Sequence, residues 1–532
     1  MLLKKYLSSL RVYNLVVNSK FYLFKLIIIV KIKNIIMNDY DDYVKHSRKI
    51  TDVKMSMSVL SWDQETKMPK NGSKFRAQQL STLAEISHEL STNKKYGDLL
   101  NILNSNENLT NDQKRNVYLS LKAFNKAAKY NSEFIIEESK LISNAFQKWR
   151  LAKDNNNFSI FEDSLKKLVD LRIKECEILG YDEHPYDALL NQYEPGLTTA
   201  QVENIFSDVK EFLVPFINKI SKSNKIDDSF FYKKYSHDKQ WDFGIELLKK
   251  MEYDFNSGRQ DLSAHPFSTH FSPDDARVTT RIDEDNLSEM IWSCIHEGGH
   301  ALYEQGVLPE NYGLPLGETI SLGIHESQSR LWENNVGRSI EYWNCNYDSL
   351  KSIFPKQLSD VSVNDFYKAA NCVKPSLIRT NADELTYHLH VLIRFEIEKE
   401  LIEGKISVKD LPSIWNHKYK EYLNITVPSD SLGVLQDIHW SHGSFGYFPT
   451  YTIGSFYAAQ FFNQAKVENP NLLNNIKDGN NKNLLKWLRE KIHENGKRYD
   501  AHVLCEQVTG EKLDFRFFKQ YVIEKYSNLY SI

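Results

Sequence analysis

The sequence predicts a mainly α-helical protein, and three observations predict it. Glycine and proline are scarce in 532 residues, at 21 and 14; a strand-and-turn architecture would need more of both. Apolar residues recur at spacings of three and four along most of the chain, the period of a helix with one buried face. Only the stretch from His265 to Ile282 alternates convincingly, as strands do. The chain is long enough for a large core, in one domain or in two to three smaller ones. Its composition, 41% hydrophobic and 26% charged, is that of an ordinary globular protein. A net charge of −3 gives no electrostatic case for binding nucleic acid.

Residues 1–36 stand apart. They carry Lys4, Lys5, Arg11, Lys20, Lys25, Lys31 and Lys33 and no acidic residue. The lysines interrupt every apolar run before the ~20 residues that a membrane span needs, and no small-residue cleavage site follows a clean apolar core. The functional chain is expected to start at Met37, just before Asp39, Asp41 and Asp42, and to run as one domain over 37–532. A leader for organelle targeting or surface binding is the alternative. The five cysteines, Cys176, Cys294, Cys345, Cys372 and Cys505, are widely spaced and odd in number. They are expected to be reduced thiols of a cytoplasmic protein.

A helical pair is expected from Asp42 to about Thr92, with its turn at Pro69–Gly72. Three helices follow between Asn111 and Gly180. Tyr181–Gly196, with two prolines, is expected to be a loop. Thr198-Thr199 caps a helix through Ile220, and Lys222–Asp238 is expected to be a polar surface connection before a helix over Lys239–Phe255. Ser268–Phe271 and Ala276–Ile282 flank the turn Pro273-Asp274-Asp275 as a hairpin. Helices then run over Leu287–Gln305 and, after a loop at Asn311–Gly317, over Glu318–Asn335. Later helices are expected at Asp365–Cys372, Asp383–Glu403, Val408–Tyr422, Phe456–Ala465, Leu485–Glu494 and Ala501–Tyr530.

The first of the two central helices carries His296-Glu297-Gly298-Gly299-His300. Histidines four residues apart lie on one helical face, about a turn apart, so both imidazoles can reach one metal ion. Glu297 lies beside them, within reach of a metal-bound water. This is the HExxH arrangement of zinc hydrolases. Gly298 and Gly299 each cost about 1 kcal/mol against alanine in a helix, which is understandable where something approaches closely; a peptide groove is the expectation here. A catalytic zinc needs a third protein ligand and an open position. Glu304 follows His300 too closely on the same helix to close the coordination. Cys294 lies off the face of His296. Glu318, Glu326 and Glu333, in the second helix, remain open by spacing, with Glu326 favoured by its mid-helix position.

This motif, followed by His325-Glu326-Ser327-Gln328-Ser329-Arg330, resembles the carboxypeptidase Taq family of metallocarboxypeptidases. So do His265-Pro266-Phe267, Asp275-Ala276-Arg277-Val278-Thr279, Ile378-Arg379-Thr380-Asn381-Ala382-Asp383 and Gly433-Val434-Leu435-Gln436-Asp437-Ile438-His439-Trp440. Trp62-Asp63-Gln64-Glu65-Thr66 and Gly446-Tyr447-Phe448-Pro449-Thr450-Tyr451 are also similar. The resemblance spans roughly Met55 to the C-terminus.

It implies an elongated helical molecule with a deep groove and a small sheet beside the HExxH helix, similar to peptidases of the neurolysin and angiotensin-converting enzyme type. It also implies homodimers acting on peptides, with one zinc ion (cobalt as a possible substitute) held by His296, His300 and Glu326, and with Glu297 as general base. A carboxypeptidase needs a cation for the free terminal carboxylate; Arg379 is the choice, its planar fork suiting bidentate binding. Tyr447, Tyr451 and His439 are candidates to stabilise the oxyanion. His265 and Arg277 are candidates for the substrate wall, Arg277 being equally open to a structural role, and Arg330 is expected behind the metal ligands. The broad-specificity release of single C-terminal residues is the expected reaction, with a zinc endopeptidase or dipeptidase as the alternative.

Overall fold

The computed structural model describes residues 39–532; the expected leader, 1–36, lies outside them. The chain is mainly helical, with one three-stranded sheet among the described residues. No described helix is long and apolar enough to cross a membrane. The N-terminal pair forms as expected: a helix over 39–66, a tight turn at Lys70–Gly72, then Ser73–Ser91. The helices Asn111–Ala128, Ser132–Asp154 and Ser159–Leu179 follow. Thr198 does cap Thr199–Ile220: its hydroxyl accepts from Gln201 N at 3.3 Å while Gln201 Oε1 accepts from Thr198 N at 3.0 Å, a reciprocal cap of about 1 kcal/mol.

Several elements differ from expectation, each for a local reason. Tyr181–Gly196 contains the helix Pro185–Leu190, with proline at its first turn, where no N–H is needed. The connection Lys222–Asp238 is not purely a surface segment, because Phe230 and Phe231 turn inward and are buried. Ala501–Tyr530 breaks into Ala501–Thr509 and Phe515–Tyr530 at Gly510, whose φ of 79° ends the first helix in a left-handed residue. The second central helix begins only at Leu322, and at Leu331 it widens into a π-helical stretch, Leu331–Gly337.

The sheet lies along the motif helix. The strands are β1 (Gln260–Leu262), β2 (Ser268–Ser272) and β3 (Asp275–Thr280), in the order β1-β3-β2. The expected hairpin is the antiparallel β2–β3 pair, with Thr269 opposite Arg277 and an irregularity between His270 and Ser272. β1, which sequence reading missed, pairs with β3 in parallel; three residues are too few to show alternation. Since Thr279 N donates to Phe267 O, pairing alternates from that point, and the main chain of Ser268 and His270 faces the open edge of β2.

The motif helix, Leu287–Glu304, is capped by the Asn286 side chain, which accepts from Ser288 N at 3.1 Å. Leu287, Met290, Ile291, Cys294, Ile295, Ala301 and Leu302 form its core stripe. Each large side chain in such a stripe contributes about 1.5–3 kcal/mol. His296, Glu297, His300 and Glu304 take the other face. The helix Leu322–Arg330, which carries Glu326, packs across it. Here the glycine expectation needs correction. A Cβ at Gly298 would meet Leu248 at 2.8 Å, and one at Gly299 would meet the backbone of Gln328 and Ser329 at 2.7 Å. The glycines serve close packing against neighbouring helices, not a peptide groove. On the far side of the helix Leu322–Arg330, a Cβ at Gly454 would lie 2.5 Å from Glu326 Cβ. Gly454 belongs to the central helix Pro449–Glu468, which contributes Ile453 and Phe461 to one large core cluster and Phe456 and Ala459 to the other. The site sits where those two clusters meet.

Candidate metal centre and active site

The two histidine rings lie 4.9 Å apart on the motif helix. Glu326 Oε2 is 3.9 Å from His296 Nε2 and 3.6 Å from His300 Nε2, and one ligand atom from each residue lies within 4.8 Å of the others. Bonds of about 2.0–2.1 Å at tetrahedral angles place donor atoms about 3.3 Å apart, so the donor set fits a zinc-sized ion with little adjustment. Burial, reinforced by the neighbouring His325, pushes His300 down to about 3. It therefore stays in the neutral form that binds metals.

The glutamates around the histidines take distinct parts. Glu333 reaches His296 from behind, its Oε2 2.9 Å from Nδ1. It is held by Arg330 Nη1 at 3.1 Å and Arg338 Nη2 at 2.9 Å. A carboxylate on Nδ1 leaves Nε2 of His296 free to face Glu326 and fixes the ring. The π-helical widening carries Glu333, and such bulges occur often at functional sites. Glu304 bridges His325 Nε2 at 2.9 Å and His270 Nδ1 at 3.1 Å, and His325 stacks on His300 at 4.4 Å. Glu297 is buried beside the pair, close to Ser268 of β2. Burial, with Glu326 adding to it, raises its pKa, which strengthens it as a base.

From Glu326 a short relay leads away from the histidines. Arg330 Nε donates to Glu326 Oε1 at 2.7 Å, and its guanidinium lies 4.3 Å over the ring of Tyr387. Tyr387 OH accepts from Arg379 Nη1 at 3.1 Å. Arg379, only 6% exposed, stands on a short turn, Arg379–Asn381, with Nε 3.0 Å from Asp437 Oδ1. Its guanidinium lies 4.9 Å over Tyr451, whose hydroxyl is 3.2 Å from His439 Nε2. Tyr447 packs 5.2 Å from Tyr451 and 5.3 Å from His439. Arg379, Tyr451, His439 and Tyr447 thus form one group.

The model of the carboxypeptidase Taq (M32) metallopeptidases matches residues 42–526. The chain belongs to this family. It is 39% identical over 485 residues to carboxypeptidase 1 of Bacillus subtilis (strain 168), covering 91% of this chain and 97% of that one. To thermostable carboxypeptidase 1 of Thermus thermophilus it is 38% identical over 505 residues, covering 92% and 99%. The crystal structure of the M32 carboxypeptidase from Deinococcus radiodurans superposes with a TM-score of 0.92 at 37% identity, over 93% of this chain and all of that one. The chain is therefore a metallocarboxypeptidase, of a family that works with a divalent metal ion.

Two further residues singled out in the sequence belong to the sheet region beside the motif helix of this metallocarboxypeptidase. Arg277 is paired with Asp275, at 2.8 Å from both Nε and Nη2, and lies 4.5 Å from the Trp62 ring. His265 is exposed between β1 and β2, its carbonyl accepting from Ser263 Oγ at 2.6 Å. Sequence reading misses Tyr387, His270 and the part played by Glu333. Spacing offers Glu333 only as a possible metal ligand.

Proposed function

We propose that this metallocarboxypeptidase uses zinc and releases single residues of broad type from peptide C-termini. The observation that carries this reading is the relay Glu326–Arg330–Tyr387–Arg379, which sets a buried guanidinium a short, fixed distance from the candidate metal ligands. Such a cation suits a peptide's free terminal carboxylate. Held by His296, His300 and Glu326, zinc, or cobalt in its place, would supply Lewis acidity to the scissile carbonyl and to water. Glu297 takes the proton of the attacking water and returns it to the leaving amine. Tyr447 and Tyr451 offer hydroxyl donors for the oxyanion, Tyr451 being oriented by His439. The open edge of β2 at Ser268 and His270 suits the main chain of the preceding residues, held as an added strand.

The resemblance supports a homodimer, and the five thiols fit a reducing, cytoplasmic setting. The test is a mixed peptide panel read by mass spectrometry with and without a chelator. Single-residue ladders from the C-terminus that vanish with chelator are expected. Equal cleavage of amidated and free-acid peptides would overturn the exopeptidase reading in favour of an endopeptidase.

A further inference from the structure

Arg379 is not the only buried cation in its corner. Arg394, on the helix Thr386–Ile402, is completely buried. The two arginines share one carboxylate. Asp437 Oδ1 faces Arg379 Nε and Nη2, each at 3.0 Å. Oδ2 faces Arg394 Nε at 2.7 Å and Nη2 at 2.5 Å. Both oxygens are thus occupied, and two positive charges face one negative.

Among the described residues, no carboxylate other than Asp437 pairs with either arginine. Glu398, one turn along from Arg394, is turned away to Tyr186 OH at 2.6 Å, Trp440 Nε1 at 2.8 Å and Gly446 N at 2.9 Å. His390 and His439 are kept uncharged by burial. The remaining neighbours are aromatic faces: Trp415 4.6 Å from Arg394, and Phe448 5.5 Å from Arg379 and 5.4 Å from Arg394. Rings of this kind soften the desolvation of a guanidinium but do not neutralise it. Arg379 also keeps donors in hand. Of the five N–H groups of an arginine, two face Asp437 and one serves Tyr387. A buried charge without a partner is costly, so the corner is built to receive an anion.

We propose that Arg394 is a positioning residue for recognition of the substrate's terminal carboxylate. By occupying one oxygen of Asp437, it keeps that aspartate from neutralising Arg379, and the group retains one positive charge that the substrate carboxylate completes. The inference rests on the reading of Arg379 given above. Its consequence is specific: without Arg394, Arg379 and Asp437 form a closed one-to-one pair, and an intact Arg379 binds carboxylate poorly.

The experiment measures kcat and KM on a free-acid peptide, with zinc content and thermal unfolding as controls. Arg394→Met is expected to raise KM roughly 10- to 100-fold, the range for a lost charge-assisted contact, with kcat within a few-fold and zinc retained. Arg394→Lys, which keeps the charge, should stay near the wild type. The double variant Arg394→Met/Asp437→Asn restores the single positive charge and should recover most of KM. A merely structural Arg394 predicts that the double variant is no better than the single one, and that result overturns the inference, as does an unchanged KM in Arg394→Met or a lysine variant as weak as the methionine one. Should Arg394→Met not fold, Arg394→Gln takes its place, and the double variant decides independently. Wild-type protein that cleaves amidated and free-acid peptides alike sinks the reading of Arg379 instead.

Discussion

Removing Glu333 should weaken metal binding without touching a metal ligand. Its carboxylate accepts from His296 Nδ1 at 2.9 Å and from two arginines, and only 7% of the residue is exposed. Glu333→Gln keeps the shape and one acceptor but loses the charge. The difference between a charge-assisted and a neutral hydrogen bond is about 1–1.5 kcal/mol, which is about a tenfold rise in the metal Kd. Glu333→Ala leaves the imidazole N–H buried without a partner. That costs about 2–3 kcal/mol, or roughly a hundredfold in Kd. Both values fall in the 10–100-fold span found for groups behind metal-ligating histidines. The assay is competition for zinc against a chromophoric chelator at fixed pH, with no peptide present. Thermal unfolding is measured alongside, because Arg330 and Arg338 lose a buried partner and the alanine variant can lose about 3–5 kcal/mol of stability. A Kd unchanged in both folded variants would refute the assignment of Glu333 as the support of His296.

Glu297→Gln should lower turnover by about 10²–10⁴ while metal content by elemental analysis stays at the wild-type level; full activity would remove the general base. Arg379→Ala should lose most activity on free-acid peptides yet retain zinc, and unchanged kinetics would take Arg379 out of the site. Glu194, which accepts from Gly323 N at 2.8 Å, is fully buried, and burial pushes its pKa from 4.5 up to about 7. A carboxyl raised in the folded state contributes stability that is present below the unfolded value and is lost as pH rises through the folded one. The loss lies between about pH 4.5 and pH 7 and amounts to ~3 kcal/mol. Glu194→Gln should therefore flatten the fall in unfolding free energy across that window, and an unaltered profile would argue against the shift.

The helical class was legible because a buried face repeats every three to four residues, and the strand pair because its alternation sits between turn residues. What failed was set by contacts distant in sequence or by single-residue phase changes. Spacing left Glu318, Glu326 and Glu333 as rivals on one helix. The widening at Leu331 explains the difficulty: it rephases the helix, so that Glu326 faces Nε2 of the histidines while Glu333 approaches His296 from Nδ1. No periodicity reveals such an insertion. The group Arg379–Asp437–Arg394 joins three separate segments, and nothing local marks Arg394 as different from any arginine on a helix. The break at Gly510 was readable in principle, since glycine after a helical run commonly ends it.

Gly299 and Gly454 give the centre a mechanical property. The segment bearing Glu326 is clamped between two partners that have no side chains at the points of contact. The main chain of that segment is therefore held at a set spacing from the motif helix, and the Glu326 side chain alone adjusts its reach to the histidines. A side chain at either glycine would have to part elements that already touch there, and would carry the Glu326 segment out of its place beside the histidines.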